Sequence, residues 1–199
     1  MRIILASKSP RRREILTTLG IPFEVVSADA DESSDVTDPA TLVQELALRK
    51  GRATRELLRA KGEWDDNTLI IASDTVVACK GEILGKPRDN ADATRMLTML
   101  SDTEHHVISG IALLIGDREI ADFDDTCVIF DHMSPADIEW YVQCGEPADK
   151  AGSYAVQGLA SMWIKGIKGC YFNVVGLPVY RMGKLLERFI GRGLASLAQ

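Results

Sequence analysis

The chain has 199 residues, 46% hydrophobic and 26% charged, the balance of a globular protein, which excludes disorder, collagen-like repeats and coiled coils. Its 23 basic and 29 acidic residues leave a formal net charge of −6, which argues against nucleic-acid polymers and anionic membranes as partners. The longest uncharged stretch, 151–164, is too short and too rich in Gly, Ser, Tyr and Gln to cross a bilayer. The first 20 residues run into Arg11, Arg12 and Arg13 without a cleavage-type tail, so no secretory signal is expected. Cys79, Cys127, Cys144 and Cys170 show no C-x-x-C spacing and no His at metal distance, and they read as reduced, structural thiols of a cytoplasmic protein.

In chain order, residues 2–6 predict a short apolar strand. Ser9-Pro10 then starts a helix that Gly20 stops. Residues 23–27 predict a second strand. An acidic loop, 29–38, follows, and Asp38-Pro39 opens a long helix to about residue 60. Residues 68–79, rich in Ile and Val, predict a central strand buried on both faces. Lys80-Gly81 gives a turn, and Asp89 or Asn90 caps a helix to about residue 100. Residues 107–115 and 119–130 predict a hairpin around Gly116-Asp117, and Ser134-Pro135 caps another helix to about residue 144. After the glycine-rich segment 145–158, a second hairpin is expected from 160–164 and 170–175, then a closing helix over 177–190. Alternation early and hairpins late predict a mixed-sheet α/β or α+β architecture.

The informative residues are charges where the pattern wants apolar side chains. On the first helix, Ile15, Leu16 and Leu19 define an apolar face; Arg12 falls within it, and Arg11 and Arg13 flank it. Arginines in a first helical turn oppose the helix dipole and suit an anion there, although a solvated basic turn accounts for them too. On the second helix, Leu42, Leu46, Ala53 and Leu57 form one stripe with Lys50 in its middle, either snorkelling or meeting an anion.

Asp74 interrupts the apolar run 69–77 and must be paired, protonated or metal-bound; a structural salt bridge to Arg12 or Lys50 is the alternative. Lys86 in Gly85-Lys86-Pro87-Arg88 adds a cation soon after. Asp31 and Glu32 lie in the acidic loop, where solvation alone explains them, and Lys8 suits either phosphate or surface. The adjacent His105 and His106 point to opposite faces and read as structural; His132 shows no role. These residues describe a metal-assisted site for a phosphorylated small molecule. Residues 81–86 miss the Walker A spacing, with Pro87 where Ser or Thr should stand. G-x-G-x-x-G, H-E-x-x-H and G-x-S-x-G are absent as well.

The segment Leu5-Ala6-Ser7-Lys8-Ser9-Pro10-Arg11-Arg12 resembles the signature of Maf-like nucleoside triphosphate pyrophosphatases. The resemblance continues through Glu32, Lys50, Ser73-Asp74-Thr75, Gly85-Lys86-Pro87, Asp149-Lys150-Ala151-Gly152, Tyr154, Gln157-Gly158 and Val175-Gly176-Leu177-Pro178, nearly the whole chain. It implies one Maf-like domain over 1–199, two-lobed and α/β, with a twisted mixed β-sheet flanked by helices and an active-site cleft between the lobes. It also implies cleavage of a nucleoside triphosphate into monophosphate and pyrophosphate with Mg²⁺ or Mn²⁺.

Carried over by position, Asp74 would be the proton acceptor. Ser7, Arg12, Arg13, Lys50 and Lys86 would bind the triphosphate, and Glu32 with Asp74 would hold the metal. Ser-Pro-Arg-Arg and residues 151–158 resemble the dTTP/UTP branch, with Arg12, Thr75 and Gln157 as specificity positions. A Gln amide offers donor and acceptor to the mixed edge of thymine or uracil, whereas a carboxylate suits guanine. Ser109-Gly110 stands where the family usually has Thr-Gly.

The alternatives are a pyrophosphatase for 7-methyl-GTP or another modified nucleotide, and a nucleotide-binding regulator of septum formation and cell division. The expected partner is a small-molecule nucleoside triphosphate, with no nucleic-acid polymer and no membrane; a homodimer is compatible with this reading. The charge is unevenly spread. Arg2, Lys8, Arg11, Arg12 and Arg13 occur before any acid, five carboxylates fill 29–38, and eight more lie in 117–139 against Arg118 alone.

Overall fold

In the computed structural model, which describes residues 1–198, the elements follow one another as β1 (Arg2–Leu5), α1 (Pro10–Thr18), β2 (Glu24–Val25), α2 (Pro39–Ala60), β3 (Thr68–Cys79), β4 (Glu82–Leu84), α3 (Asn90–Leu100), β5 (Glu104–Ile115), β6 (Arg118–Phe130), α4 (Pro135–Gln143), β7 (Ile164–Lys168), α5 (Tyr171–Val175) and α6 (Val179–Ile190). The strands form one mixed sheet in the order β2-β1-β3-β5-β6-β7, with β4 paired to β3. β1 is parallel to β2 and β3, while β4 on β3 and β7 on β6 are antiparallel. Among the described residues, no helix is long and apolar enough to cross a membrane. The α/β class expected from the alternation of elements is the one observed.

The helix starts follow their caps. Asp38 accepts from the Thr41 N–H at 2.8 Å ahead of Pro39, Asp89 accepts from the Asp92 N–H at 2.8 Å, and Ser134 and Asp137 form a reciprocal capping box. Ser9 precedes Pro10 as expected but makes no side-chain cap; its own N–H donates to Ser7 Oγ at 3.2 Å.

The chain divides into two compact units, and β3, β5 and β6 contribute residues to both. The first comprises Met1–Asp74, Ser109–Asp124 and the segment from Gly176 onward. Its core packs Ile4, Ala6, Ile70, Ala72, Ala112 and Leu114 against Ala47 and Leu58 of α2. The buried face of α2 is Leu42, Val43, Leu46, Ala47, Gly51, Thr54 and Leu58, not the expected stripe through Ala53 and Leu57. Gly51 decides the rotation: a Cβ there would lie 2.4 Å from Leu114 Cδ1, so the bare backbone seats the helix on β5. Lys50 lies within this arc of the helix, one turn from Leu46 and from Thr54, and its side chain is largely buried. The second close approach is Gly110 of β5, where a Cβ would lie 2.2 Å from the Val43 carbonyl oxygen.

The second unit, Thr75–Ile108 and Asp125–Val175, has its own core of Val77, Leu84, Met96, Leu97, Leu100, Val107, Val128, Phe130, Tyr141 and Tyr154. The hairpin expected over 160–175 is not formed. Residues 159–163 make a 3₁₀ segment, β7 pairs with β6 instead, and Tyr171–Val175 is helical. The reason is Asn173, fully buried, whose side-chain amide donates to the Val107 carbonyl at 2.8 Å and to Thr126 Oγ1 at 2.9 Å. A helical turn puts that amide where β-propensity would not.

His105 and His106 do part to opposite faces. His106 pairs with Asp125 at the surface, while His105 is buried, with Nε2 2.7 Å from Tyr154 Oη and the Phe130 ring edge-on at 5.0 Å.

Gly110→Ala is expected to destabilise the protein by about 3 kcal/mol, because the clash is with helix backbone that cannot rotate away; urea unfolding measures it. Burial, then the neighbouring His106, pushes the His105 pKa down to about 4 from 6.5. Between those pH values the unfolded chain takes up a proton that the folded chain refuses. This contribution to stability is therefore present above pH 6.5 and lost as pH falls to 4, about 3 kcal/mol in all. The urea midpoint of the wild type should fall over that window by more than that of His105→Gln; parallel profiles would refute it.

Candidate active site

The first unit brings five of the sequence-predicted residues into one neighbourhood. β1 ends at Leu5, and the Ala6 N–H donates to the Ile71 carbonyl at 2.8 Å, so the strand path continues beside β3 up to Ser7. Ser7 is buried; its Oγ accepts from the Ser9 N–H and from Arg12 Nη1 at 3.1 Å. Arg12, in the first turn of α1, also donates through Nε to the Gly176 carbonyl at 2.7 Å. That oxygen takes a second bond, from the fully buried Ser73 Oγ at 3.0 Å. Two donors on two acceptors fix the plane of the guanidinium at the positive end of the α1 dipole, where the first turn carries no acid.

Next along β3 comes Asp74. Lys50 Nζ donates to Asp74 Oδ1 at 2.5 Å and pairs with Glu32 Oε1 at 2.8 Å. The side chains are graded in depth, 13% exposed for Asp74, 19% for Lys50 and 60% for Glu32, so the ammonium links a buried carboxylate to one reached from solvent. Desolvation lowers the Arg12 pKa, and the charges of Asp74 and then, more weakly, Glu32 oppose that shift. The pairing of Asp74 with Lys50, expected as an alternative to a functional role, is thus observed, in a strand buried on both faces.

Glu32 sits on the loop between β2 and α2. Arg49, next to Lys50, donates to the Ser33 carbonyl at 2.6 Å, and Asp31 accepts from the Ser33 N–H and hydroxyl. The acidic loop is therefore tied down on both sides of Glu32 rather than merely solvated. Lys8, which suited phosphate or surface, pairs with Asp29 at the surface. Arg13 is exposed on α1.

Thr75, Lys86 and Gln157 belong to the second unit. Thr75 is half-buried in β3. Lys86 is exposed on a turn that the Gly152 N–H holds by donating to the Gly85 carbonyl at 3.0 Å. Gln157 is exposed in the turn Ala155–Gly158, closed by the Gly158 N–H on the Ala155 carbonyl at 3.1 Å.

Sequence reasoning gave no role to Ser73 or to the Gly176 carbonyl. A small hydroxyl beside an acid in an apolar strand was the available signal for the first; a backbone acceptor offers none.

The first unit of this α/β protein thus sets a buried carboxylate against an ammonium and fixes a guanidinium at a helix start. The chain belongs to the Maf family: the family model described as Maf-like protein matches residues 2–189. It is 46% identical to a Symbiobacterium thermophilum protein named dTTP/UTP pyrophosphatase, over 94% of each chain. Proteins of the same name from Caldanaerobacter subterraneus subsp. tengcongensis and Bacillus cereus are 42% and 38% identical, over 97% and 94% of this chain and 94% and 95% of theirs.

Arg12→Lys keeps the charge but cannot span Ser7 and Gly176. It is expected to weaken binding of inorganic tripolyphosphate roughly tenfold, as read by titration calorimetry; an unchanged affinity would show that the guanidinium plane does not matter.

Proposed function

We propose that this protein hydrolyses dTTP and UTP to the monophosphate and pyrophosphate. The carrying observation is Asp74, an almost buried carboxylate hydrogen-bonded by Lys50 within the field of Arg12, in a chain whose relatives bear the name of that activity. Asp74 takes a proton from the attacking water through whichever carboxylate lone pair Lys50 leaves open. The water oxygen bonds to the α-phosphorus, the bond from that phosphorus to the α–β bridging oxygen breaks, and pyrophosphate carries away the electron pair. Arg12 and Lys50 meet the negative charge that grows on the phosphate oxygens, and their geometry is set beforehand by Ser7, Gly176 and Glu32. In the second unit the resemblance assigns Lys86 to phosphate, and Thr75 and Gln157 to selection of the base.

A divalent cation fits the donor set. Glu32 and Asp74 turn oxygens toward one positive charge, and Mg²⁺ is commonly held by one or two carboxylates with substrate phosphates and waters. Among the described residues no three His, Cys, Asp or Glu side chains gather as a metal site, so Glu32 and Asp74 would hold the ion together with substrate and water oxygens. Bound there, Mg²⁺ or Mn²⁺ supplies charge neutralisation to the triphosphate.

Asp74→Asn should lower kcat for pyrophosphate release from dTTP and UTP by about 10²–10⁴-fold, and equal rates in the two proteins would sink the catalytic assignment. Chelation with EDTA should abolish turnover and excess Mg²⁺ restore it; turnover undiminished in EDTA would remove the metal from the scheme.

A further inference from the structure

Gln157 stands at the tip of a tight turn, and both shoulders of that turn are gripped by one pair of side chains. The Ala155 N–H, entering the turn, donates to Tyr141 Oη at 3.4 Å. The Leu159 N–H, leaving it, donates to Glu146 Oε2 at 3.0 Å. Tyr141 Oη in turn donates to Glu146 Oε1 at 2.6 Å, joining the two grips.

The pair itself is rigid. Tyr141 is fully buried on α4, whose start is locked by the Ser134–Asp137 capping box. Four residues later the left-handed Gly145 turns the chain back so that the Glu146 carboxylate meets the Tyr141 hydroxyl. Lys150 Nζ holds the Glu146 carbonyl at 2.7 Å. Burial and the bond to Glu146 raise the Tyr141 pKa, so the phenol stays a donor at every working pH.

Gly158 completes the fit. A Cβ there would lie 2.3 Å and 2.4 Å from the two carboxylate oxygens of Glu146, so no other residue allows the carboxylate to lie this close under the turn. None of these contacts touches Asp74, Lys50 or Arg12, and a half-buried glutamate is an unneeded partner for an ordinary surface turn.

We infer that Glu146 and Tyr141 are positioning residues for base selection: they hold the turn so that the Gln157 amide is presented to the nucleotide base in one orientation. The inference rests on the reading of Gln157 as the residue that meets the base. An amide can discriminate donor from acceptor only if its rotation and the path of its backbone are restricted, and an ångström of slack forfeits that discrimination.

The test is the ratio of kcat/KM for dTTP to that for GTP, which does not depend on the fraction of enzyme folded. Glu146→Ala should lower the ratio at least tenfold, chiefly by raising KM for dTTP, with kcat within threefold of wild type. Glu146→Gln should keep the ratio within threefold, since its carbonyl accepts from the Leu159 N–H and its amide donates to Tyr141 Oη. Tyr141→Phe, which removes one oxygen, should move the ratio in the same direction as Glu146→Ala and serves where that variant does not fold.

An unchanged ratio in Glu146→Ala and Tyr141→Phe overturns the inference. So does a fall in Glu146→Gln as deep as in Glu146→Ala. Gln157→Ala separates the two levels. If it collapses the ratio while the clamp variants do not, only the clamp is wrong; if it leaves the ratio unchanged, the reading of Gln157 falls and the inference with it.

Discussion

A carboxylate in a strand covered on both faces has to be neutralised or paired, and in this protein one ammonium does the pairing. Lys50 reaches Asp74 from the buried face of α2, and the same nitrogen holds the more exposed Glu32. Breaking such a pair leaves a buried charge uncompensated and commonly costs 3–5 kcal/mol. Much of the first unit can be read as support for that contact. Gly51 and Gly110 let α2 approach the sheet closely enough to carry Lys50 inward. Arg49 ties the loop that carries Glu32, and the Asp38 cap starts the helix at the register that places them all.

The reactive groups come from separate stretches of chain, and none of them is held by its own loop alone. Arg12 is oriented by a serine five residues before it and a carbonyl far along the sequence. Ser73 spends its hydroxyl on that same carbonyl, so the residue next to Asp74 shares an acceptor with the guanidinium. In the second unit, Tyr141 and Glu146 do for a turn what Ser7 and Gly176 do for a side chain. In both cases a group takes its direction from partners that are buried or backbone, which is how an arrangement is kept in order by the chain alone.

Much of this was legible in the sequence because the chemistry contradicts the pattern there. Asp74, Arg12 and Lys50 stand where periodicity calls for apolar residues, and the structure collects them. The limits of α2 and β3 match their signals, since Asp38-Pro39 and an unbroken Ile/Val run are strong local instructions. What local pattern cannot carry is tertiary override. The buried face of α2 is rotated because Gly51 and Thr54 count as weakly apolar or polar, yet pack inward. The segment 171–175 is β-prone and nevertheless helical, because Asn173 satisfies two buried acceptors only from a helical turn. Glu146 reads as a surface acid, and only the return of the chain at Gly145 shows what lies beneath it.

The bond from Arg12 to the Gly176 carbonyl spans 164 residues of sequence. At roughly 5–20 residues per second of synthesis, the guanidinium waits on the order of ten seconds or more for its acceptor to be made. Loop closure of that span adds further delay before the contact is rewarded. A nascent chain can therefore assemble β1, α1, α2, β3 and β5 and place Asp74 on Lys50 while the orientation of Arg12 is still unset. The geometry that fixes the arginine is acquired later than the Lys50–Asp74 pair, so a chain interrupted before Gly176 would carry the acid and the ammonium without the oriented cation. Synthesis itself delays this orientation until Gly176 has been made.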